Sequence, residues 1–203
     1  INDLVIELMR IPQAAVDDLK SIDGISDVQG RVSVDVPLQV ADRNEKVNIR
    51  VVSLPKNGGI INKLYTIKGN RAELGDDNVI LLEQFSNARN IKVDEIITPY
   101  INGRTYNLKV SGIAASSEYI YLMENEQSLL PALDKFGVAY VTEAFAQYVF
   151  GYRASYNEVL IKLEKQKNIE DIMGIVEKKL DKYGLKRITK LEDQLSNNVL
   201  TQK

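Results

Sequence analysis

Tyr156-Asn-Glu-Val-Leu-Ile-Lys-Leu-Glu164, followed by Asn168-Ile-Glu-Asp-Ile-Met-Gly-Ile-Val-Glu-Lys-Lys-Leu180 and then Gly184-Leu-Lys-Arg-Ile-Thr-Lys-Leu191, spells a strand, a helix and a second strand. Val159, Ile161 and Leu163 recur every second residue, the period of a half-buried strand. Asn168 is placed to cap a helix, because its side-chain oxygen can accept from an unpaired first-turn N–H. Asp171 puts negative charge where the helix N-terminus favours it. Ile169, Ile172, Val176, Leu180 and Tyr183 then step by three and four, forming one apolar stripe. Gly184 can take the left-handed conformation that ends a helix.

A weaker copy opens the chain. Leu4, Ile6 and Leu8 alternate within Asp3–Met9, Pro12 suits a helix start, and Ala15, Leu19 and Ile22 form a short stripe that stops at Gly24. Ile25 and Val28 follow Gly24 at the offsets by which Leu185 and Ile188 follow Gly184. Both ends of the chain therefore read as strand–helix–strand, and the apolar faces of 4–8 and 159–163 are expected to share one sheet.

Between them the texture changes. Arg31–Val36 and Lys46–Leu54 alternate cleanly and predict a long hairpin, with Pro37 favouring a bulge or an edge. Pro55-Lys-Asn-Gly-Gly59 is the strongest punctuation. Beyond it, short strands are expected at Tyr65–Lys68, Asn78–Leu82, Asp94–Thr98, Thr105–Ile113, Tyr119–Leu122 and Val138–Thr142. Short helices are expected at Leu82–Asn90, Glu126–Phe136 and Glu143–Phe150. Asn102-Gly103 predicts a tight hairpin turn. The fold class is thus α+β: a discontinuous lobe of two strand–helix–strand units, residues 1–54 and 153–203, with a β-rich subdomain, 55–152, inserted through a hinge-like pair of crossings.

The 203 residues suffice for a buried core without disulfides. Cysteine and histidine are absent, which removes thiol nucleophiles, thiolate or imidazole metal sites and a histidine base. The net charge of -2 lacks the basic excess of a nucleic-acid-binding surface. No apolar run approaches the ~20 residues of a membrane span. The chain starts at Ile1 with no signal-like segment, as expected of a piece of a longer protein or a processed form.

Few residues point to chemistry. Ser53-Leu-Pro-Lys56 has Ser-x-x-Lys spacing, but Pro55 interrupts the helix that spacing needs. Glu73, Asp76 and Asp77 lack the alternating spacing of a calcium loop and read as a solvated turn. Lys178, Lys179 and Lys182, interleaved with Glu177 and Asp181, read as a solvated face of mixed sign. Tyr119 and Tyr121 share a face of their expected strand and are the candidate contact residues for a substrate or partner, since paired tyrosines bury area at low entropy cost. They would serve equally as a cover for the subdomain's own core. Tyr148, Tyr152 and Tyr156 are expected to pack the junction. No catalytic, cofactor-binding or metal-binding residue is assigned.

The order of several short motifs resembles the MacB-like periplasmic core domain of FtsX-like ABC transporter permeases. They are Gly24-Ile-Ser-Asp-Val-Gln-Gly-Arg31, Ile49-Arg-Val-Val-Ser-Leu-Pro55, Lys68-Gly-Asn-Arg71, Asn78-Val-Ile-Leu-Leu-Glu83, Leu108-Lys-Val-Ser-Gly-Ile-Ala114 and Ser117-Glu-Tyr-Ile-Tyr-Leu122. The resemblance implies a porter-like lobe carrying a sabre-like insertion, held on the extracytoplasmic side of a cell membrane between two transmembrane helices outside 1–203. It implies a mechanical rather than enzymatic role: passing ATP-driven motion of the membrane helices to an exported or extracted substrate, or to an extracellular protein. ATP would be used by a separate nucleotide-binding subunit or domain, the cognate ABC ATPase would couple through the rest of the permease, and a second permease copy would complete the transporter. A free-standing extracellular module that binds a peptide or glycan through its tyrosines is the other reading of the same residues.

Overall fold

A computed structural model describes residues 1–56, 61–119 and 132–194. β1 (Leu4–Pro12), α1 (Gln13–Leu19) and β2 (Ile25–Arg31) form the first strand–helix–strand unit. β11 (Ser155–Leu163), α4 (Ile169–Leu180) and β12 (Leu185–Lys190) form the second. The units interleave. The sheet order is β12-β1-β11-β2, with each unit's parallel strands separated by one strand of the other unit. This is the split strand–helix–strand arrangement of ferredoxin-like folds. Leu4 lies opposite Ile161 and Ile6 opposite Val159, so the two apolar rows share a face as expected.

Both helices cover that face. Val16 and Leu19 from α1, and Ile172, Val176 and Leu180 from α4, are buried in the same cluster as Leu4, Ile6, Leu8, Val159 and Ile161. Each such aliphatic side chain contributes roughly 1.5–3 kcal/mol on burial. The Asn168 side chain accepts from the N–H groups of Glu170 and Asp171, and Gly184 takes φ 71°, so both ends of the α4 segment match the sequence reading. Gly24 has φ 95° but lies in the turn beyond α1, which stops at Leu19.

The second sheet contains β3 (Ser33–Gln39), β4 (Asn48–Leu54), β5 (Leu64–Gly69), β6 (Asn78–Leu82), β7 (Ile96–Ile101), β8 (Arg104–Thr105), β9 (Leu108–Ser116) and β10 (Phe136–Thr142). Their order is β5-β9-β6-β10-β4-β3-β7-β8, and β9 also pairs with β7. That last pairing closes β9-β6-β10-β4-β3-β7 into a ring. α2 (Glu83–Arg89) follows β6 and α3 (Glu143–Phe150) follows β10. Asn102 and Gly103 both have positive φ, as the hairpin from β7 to β8 requires.

The sheets divide the chain elsewhere than at residue 54. β3 and β4 form the expected hairpin, but β4 lies parallel to β10 inside the second sheet. The reason is burial on both faces of β4: Ile49 and Val51 enter one core, Val52 and Leu54 another. Such a strand needs neighbours on both sides, and β3 and β10 supply them. The chain passes between sheets at Arg31–Ser33 and returns through α3 to Ser155. The outward crossing is clamped. Val32 N–H donates to Ser53 Oγ at 2.8 Å, Ser53 N–H donates to the Val32 carbonyl at 2.9 Å, and Asn157 exchanges two 2.9 Å bonds with the Ser33 backbone. One continuous core runs through both sheets, so the joint is a packed one rather than a loose hinge.

Three local expectations change. Residue 119 is helical with 117 and 118, not extended. Thr105–Ile113 is broken between β8 and β9 opposite Pro99: Tyr106 N–H donates to the Pro99 carbonyl in the register of the flanking pairs, but proline has no N–H to return a bond. Of the helix expected at 126–136, residues 126–131 lie outside the described residues, 133–135 form a turn and Phe136 begins β10. Pro37 sits opposite Asn48 in β4, while pairing of β3 with β7 begins only at Leu38. Proline is thus accommodated where the second neighbour has not yet joined.

Candidate functional site

The first sheet has a second face, and charge runs across it. Register places Arg187 of β12 opposite Glu7 of β1, Glu7 opposite Glu158 of β11, and Glu158 opposite Arg31 of β2. One row of side chains therefore crosses all four strands in the order plus, minus, minus, plus. Two carboxylates directly opposed would repel. Each instead turns to its outer arginine: Arg187 Nε donates to Glu7 Oε2 at 2.7 Å, and the Arg31 Nη2 atom donates to Glu158 Oε1 at 2.8 Å.

Arg31 also grips a group from the other side. Its two terminal nitrogens donate to the two oxygens of Glu118 at 3.0 Å each, a bidentate pairing. Arg31 and Glu118 are almost fully buried, with side-chain exposures of 6% and 5%. Burial alone would lower the Arg31 pKa, but Glu118 and Glu158 overcome it and hold the guanidinium well above its usual value. Burial alone would raise the Glu118 pKa, and Arg31 overcomes that, keeping the carboxylate ionised below its usual range. A buried pair with this geometry stands because each charge satisfies the other.

Asn2 and Gln194 join the same network. Asn2 N–H donates to Asn62 Oδ1 at 2.9 Å, and Asn62 Nδ2 returns a bond to Asn2 Oδ1 and another to Glu118. Asn2 Nδ2 donates to Gln194 Oε1 at 3.2 Å, and Gln194 Nε2 donates to Glu118 Oε1. Ile61 N–H donates to Gln29 Oε1 at 2.9 Å, while the Ile61 side chain covers Val5 and Leu160. Asn2, Arg31, Asn62, Glu118, Glu158 and Gln194 thus form one connected, buried set drawn from six separate stretches of chain.

Beside it opens a groove of about 440 Å³, walled by Arg31, Asp35, Arg50, Glu118, Glu158 and Arg187 among others. Arg50 binds Asp35 through two contacts of 2.7 and 3.1 Å and lies over the Phe136 ring. The arginines of this wall are thus all engaged by carboxylates, an arrangement suited to holding elements together.

No family model matches the chain, and no curated protein matches it by sequence. Solved structures do match. The extracellular domain of the noncanonic ABC-type transporter YknZ from Gram-positive bacteria aligns over 94% of this chain and 99% of its own, with 13% identity and a TM-score of 0.58. The periplasmic region of MacB from Actinobacillus actinomycetemcomitans aligns over 100% of this chain and 94% of its own, with 12% identity and a TM-score of 0.53. The chain has the fold of a MacB-like periplasmic domain. Likeness extends over the four-stranded lobe and the larger sheet together, the whole discontinuous α+β arrangement. No described helix is long and apolar enough to cross a membrane.

In this fold the residues singled out from sequence are placed as follows. Tyr119 is half-buried, packs against the Val52–Tyr140 cluster and lies beside Arg50. Burial is the main cause that pushes its phenol up to about 12. Tyr121 lies outside the described residues. Ser53 is buried and spends its hydroxyl on the clamp at Val32, whereas Lys56 is exposed. Asp76 accepts from Thr142 Oγ1 at 2.6 Å, and among the described residues no three acidic side chains converge as a metal site would require. Tyr156 is in the core, Tyr152 stacks under Arg10, and Tyr148 is 81% exposed.

The charged row was missed in the sequence. Glu7, Glu158 and Arg31 occupy the polar phase of alternating strands, which reads as a solvent face. The available signal was Arg31 itself, followed at once by Val32-Ser-Val34 with no turn residue between. That marks a strand passing directly into another sheet.

Proposed function

We propose that this chain is the extracytoplasmic domain of an ABC transporter permease and transmits motion of the membrane helices to a substrate or an extracellular partner. The fold supports the transporter setting. The observation that carries the mechanical reading is the buried network, which ties Asn2 and Gln194, near the two chain ends, to the strands of the lobe and to Glu118 of the larger subdomain. In a permease both ends lead toward the membrane. Displacing either end there would strain Glu118 and Arg31 before it reached the apolar core, because bidentate charge-assisted bonds tolerate little change of geometry. The Arg31–Glu158 pair then carries the load from β2 to β11, and the separate Arg187–Glu7 pair joins β12 to β1.

ATP hydrolysis belongs, in this reading, to a cognate ABC ATPase acting through the rest of the permease, with a second permease copy completing the transporter. The domain itself acts without catalysis. The test uses the intact transporter with Gln29→Cys and Ile61→Cys, neighbours outside the six-residue set, joined by a short thiol crosslinker; this domain has no cysteine of its own. Crosslinking is expected to stop ATP-driven transport, and cleavage of the link to restore it. A crosslinked transporter that works at an unaltered rate would refute the mechanical reading.

A further inference from the structure

The two helices of the lobe leave a groove of about 540 Å³ between the start of α1 and the end of α4. Ala14, Ala15 and Tyr183 give it an apolar wall, and Leu19 and Leu180, both about 1% exposed, close its floor. Lys178, Lys179 and Lys182 line the rim. In sequence these lysines alternate with Glu177 and Asp181, but the fold separates the signs: neither acid lines the groove, and Asp18 is the one carboxylate that does. All three lysines are exposed. None forms an ion pair among the described residues, although Lys182 lies 5.3 Å from the Tyr183 ring. The result is a narrow apolar slot under an excess of positive charge.

Its position decides what could fill it. Leu4 of β1 lies opposite Lys190, and Leu8 opposite Leu185, so Asn2 and Gln194 sit at one end of the sheet and Pro12 and Tyr183 at the other. The eight steps from Leu4 to Pro12, at a strand rise of ~3.3 Å, separate the ends by about 26 Å. That is about three Debye lengths at physiological ionic strength, each ~8 Å. With the chain ends facing the membrane, a point that rests on the function proposed above, anionic headgroups are out of reach of these lysines. An acidic segment of a partner protein is not.

We infer that the α1/α4 groove docks an acidic segment of a partner protein that carries small aliphatic anchors. The anchors enter between Ala15 and Leu180, and the acidic side chains meet Lys178, Lys179 and Lys182. This is helix-in-groove recognition, with charge setting the choice of partner.

The probe is a short synthetic peptide of leucine and glutamate in amphipathic helical order, with a leucine and lysine peptide as its counterpart. Both are titrated against the 203-residue chain by fluorescence anisotropy. The acidic peptide is expected to bind, to weaken as salt rises, and to lose at least about tenfold in affinity in Lys178→Gln/Lys179→Gln/Lys182→Gln. Ala15→Glu, a change at a half-buried groove position, should also abolish binding, and circular dichroism verifies that both variants stay folded. Phosphatidylglycerol vesicles should not co-sediment with the chain. The inference is overturned if the acidic peptide fails to bind, if the two peptides bind alike, if the triple variant binds like the parent, or if the vesicles co-sediment in a lysine-dependent way. Failure here with a crosslinked transporter that stalls removes the docking surface and leaves the mechanical reading standing. Lysine-dependent peptide binding with a crosslinked transporter running at full rate does the reverse.

Discussion

Arg31→Met removes the cation on which two buried carboxylates depend. Glu118 loses both of its 3.0 Å bonds from the guanidinium, and Glu158 loses contacts of 2.8 and 3.2 Å. Breaking a buried pair by removing one partner costs about 3–5 kcal/mol, because the other charge is left uncompensated. At ~2–4 °C per kcal/mol for a chain of this size, the melting temperature should fall by about 6–20 °C. The sign of the pH dependence follows from Glu118. In the parent its folded pKa is depressed, so its contribution is fully present above the unfolded value and is lost as pH falls through the folded one. In the variant burial dominates and raises that pKa, so the protonated form is the one the fold prefers. The stability gap between parent and variant should therefore be widest near neutrality and narrow as pH falls toward about 4, the ordinary glutamate range. Urea unfolding followed by far-UV circular dichroism measures it, since the chain has no tryptophan. A second variant, Arg31→Met/Glu118→Leu/Glu158→Leu, should recover most of the loss, because well-packed apolar groups can replace a buried ionic set at little cost. An Arg31→Met penalty below about 1 kcal/mol, the scale of an exposed pair, or a gap independent of pH, would refute the reasoning.

Other outcomes test separate parts of the structure. A Cβ on Gly30 would lie 2.4 Å from the Tyr156 ring, so Gly30→Ala should destabilise by about 1–3 kcal/mol, and Tyr156→Leu should offset part of that loss in the double variant; additive losses would place the ring elsewhere. Asn168→Ala deprives two first-turn N–H groups of their acceptor and should cost about 1 kcal/mol in thermal unfolding; no change would mean that water caps α4 equally well. Hydrogen bonds from Arg89 and Lys135 hold the Glu45 carboxylate at a pKa of about 2, so its carboxyl resonance should not titrate until well below the usual glutamate range, and Arg89→Gln should move the midpoint upward. A midpoint already at the ordinary value would show that the bridge from α2 to the β3–β4 loop does not form.

Much of the architecture is local and was readable. The two-residue period of 4–8 and 159–163, the stripe from Ile169 to Tyr183, the cap at Asn168 and the turn at Asn102-Gly103 each depend on neighbours within a few residues. A discontinuous lobe with a β-rich insertion follows from those periods and their order. The point where the chain changes sheets did not follow. The hairpin 33–54 looks the same in sequence whichever sheet it joins, and its placement was decided by β10, more than eighty residues away, lying parallel to β4.

The charged row marks the division most sharply. Alternation in a strand reports that its two faces differ and which one is apolar; it carries no information about what covers the polar one. Glu7, Glu158 and Arg31 therefore read as solvent-facing. Arg31 and Glu158 are instead buried, because Asn62, Glu118 and Gln194, remote in sequence, are brought over them and because Arg31 is placed to satisfy two carboxylates at once, whereas Glu7 stays partly exposed beside Arg187. The lysines of α4 show the same limit: their signs mix along the chain, and only the groove against α1 sorts them. The sequence by itself determined the elements and their apolar faces, since those rest on short-range periods. The tertiary structure alone decided which polar faces are buried and which charges meet, since those rest on contacts between segments that no local pattern relates.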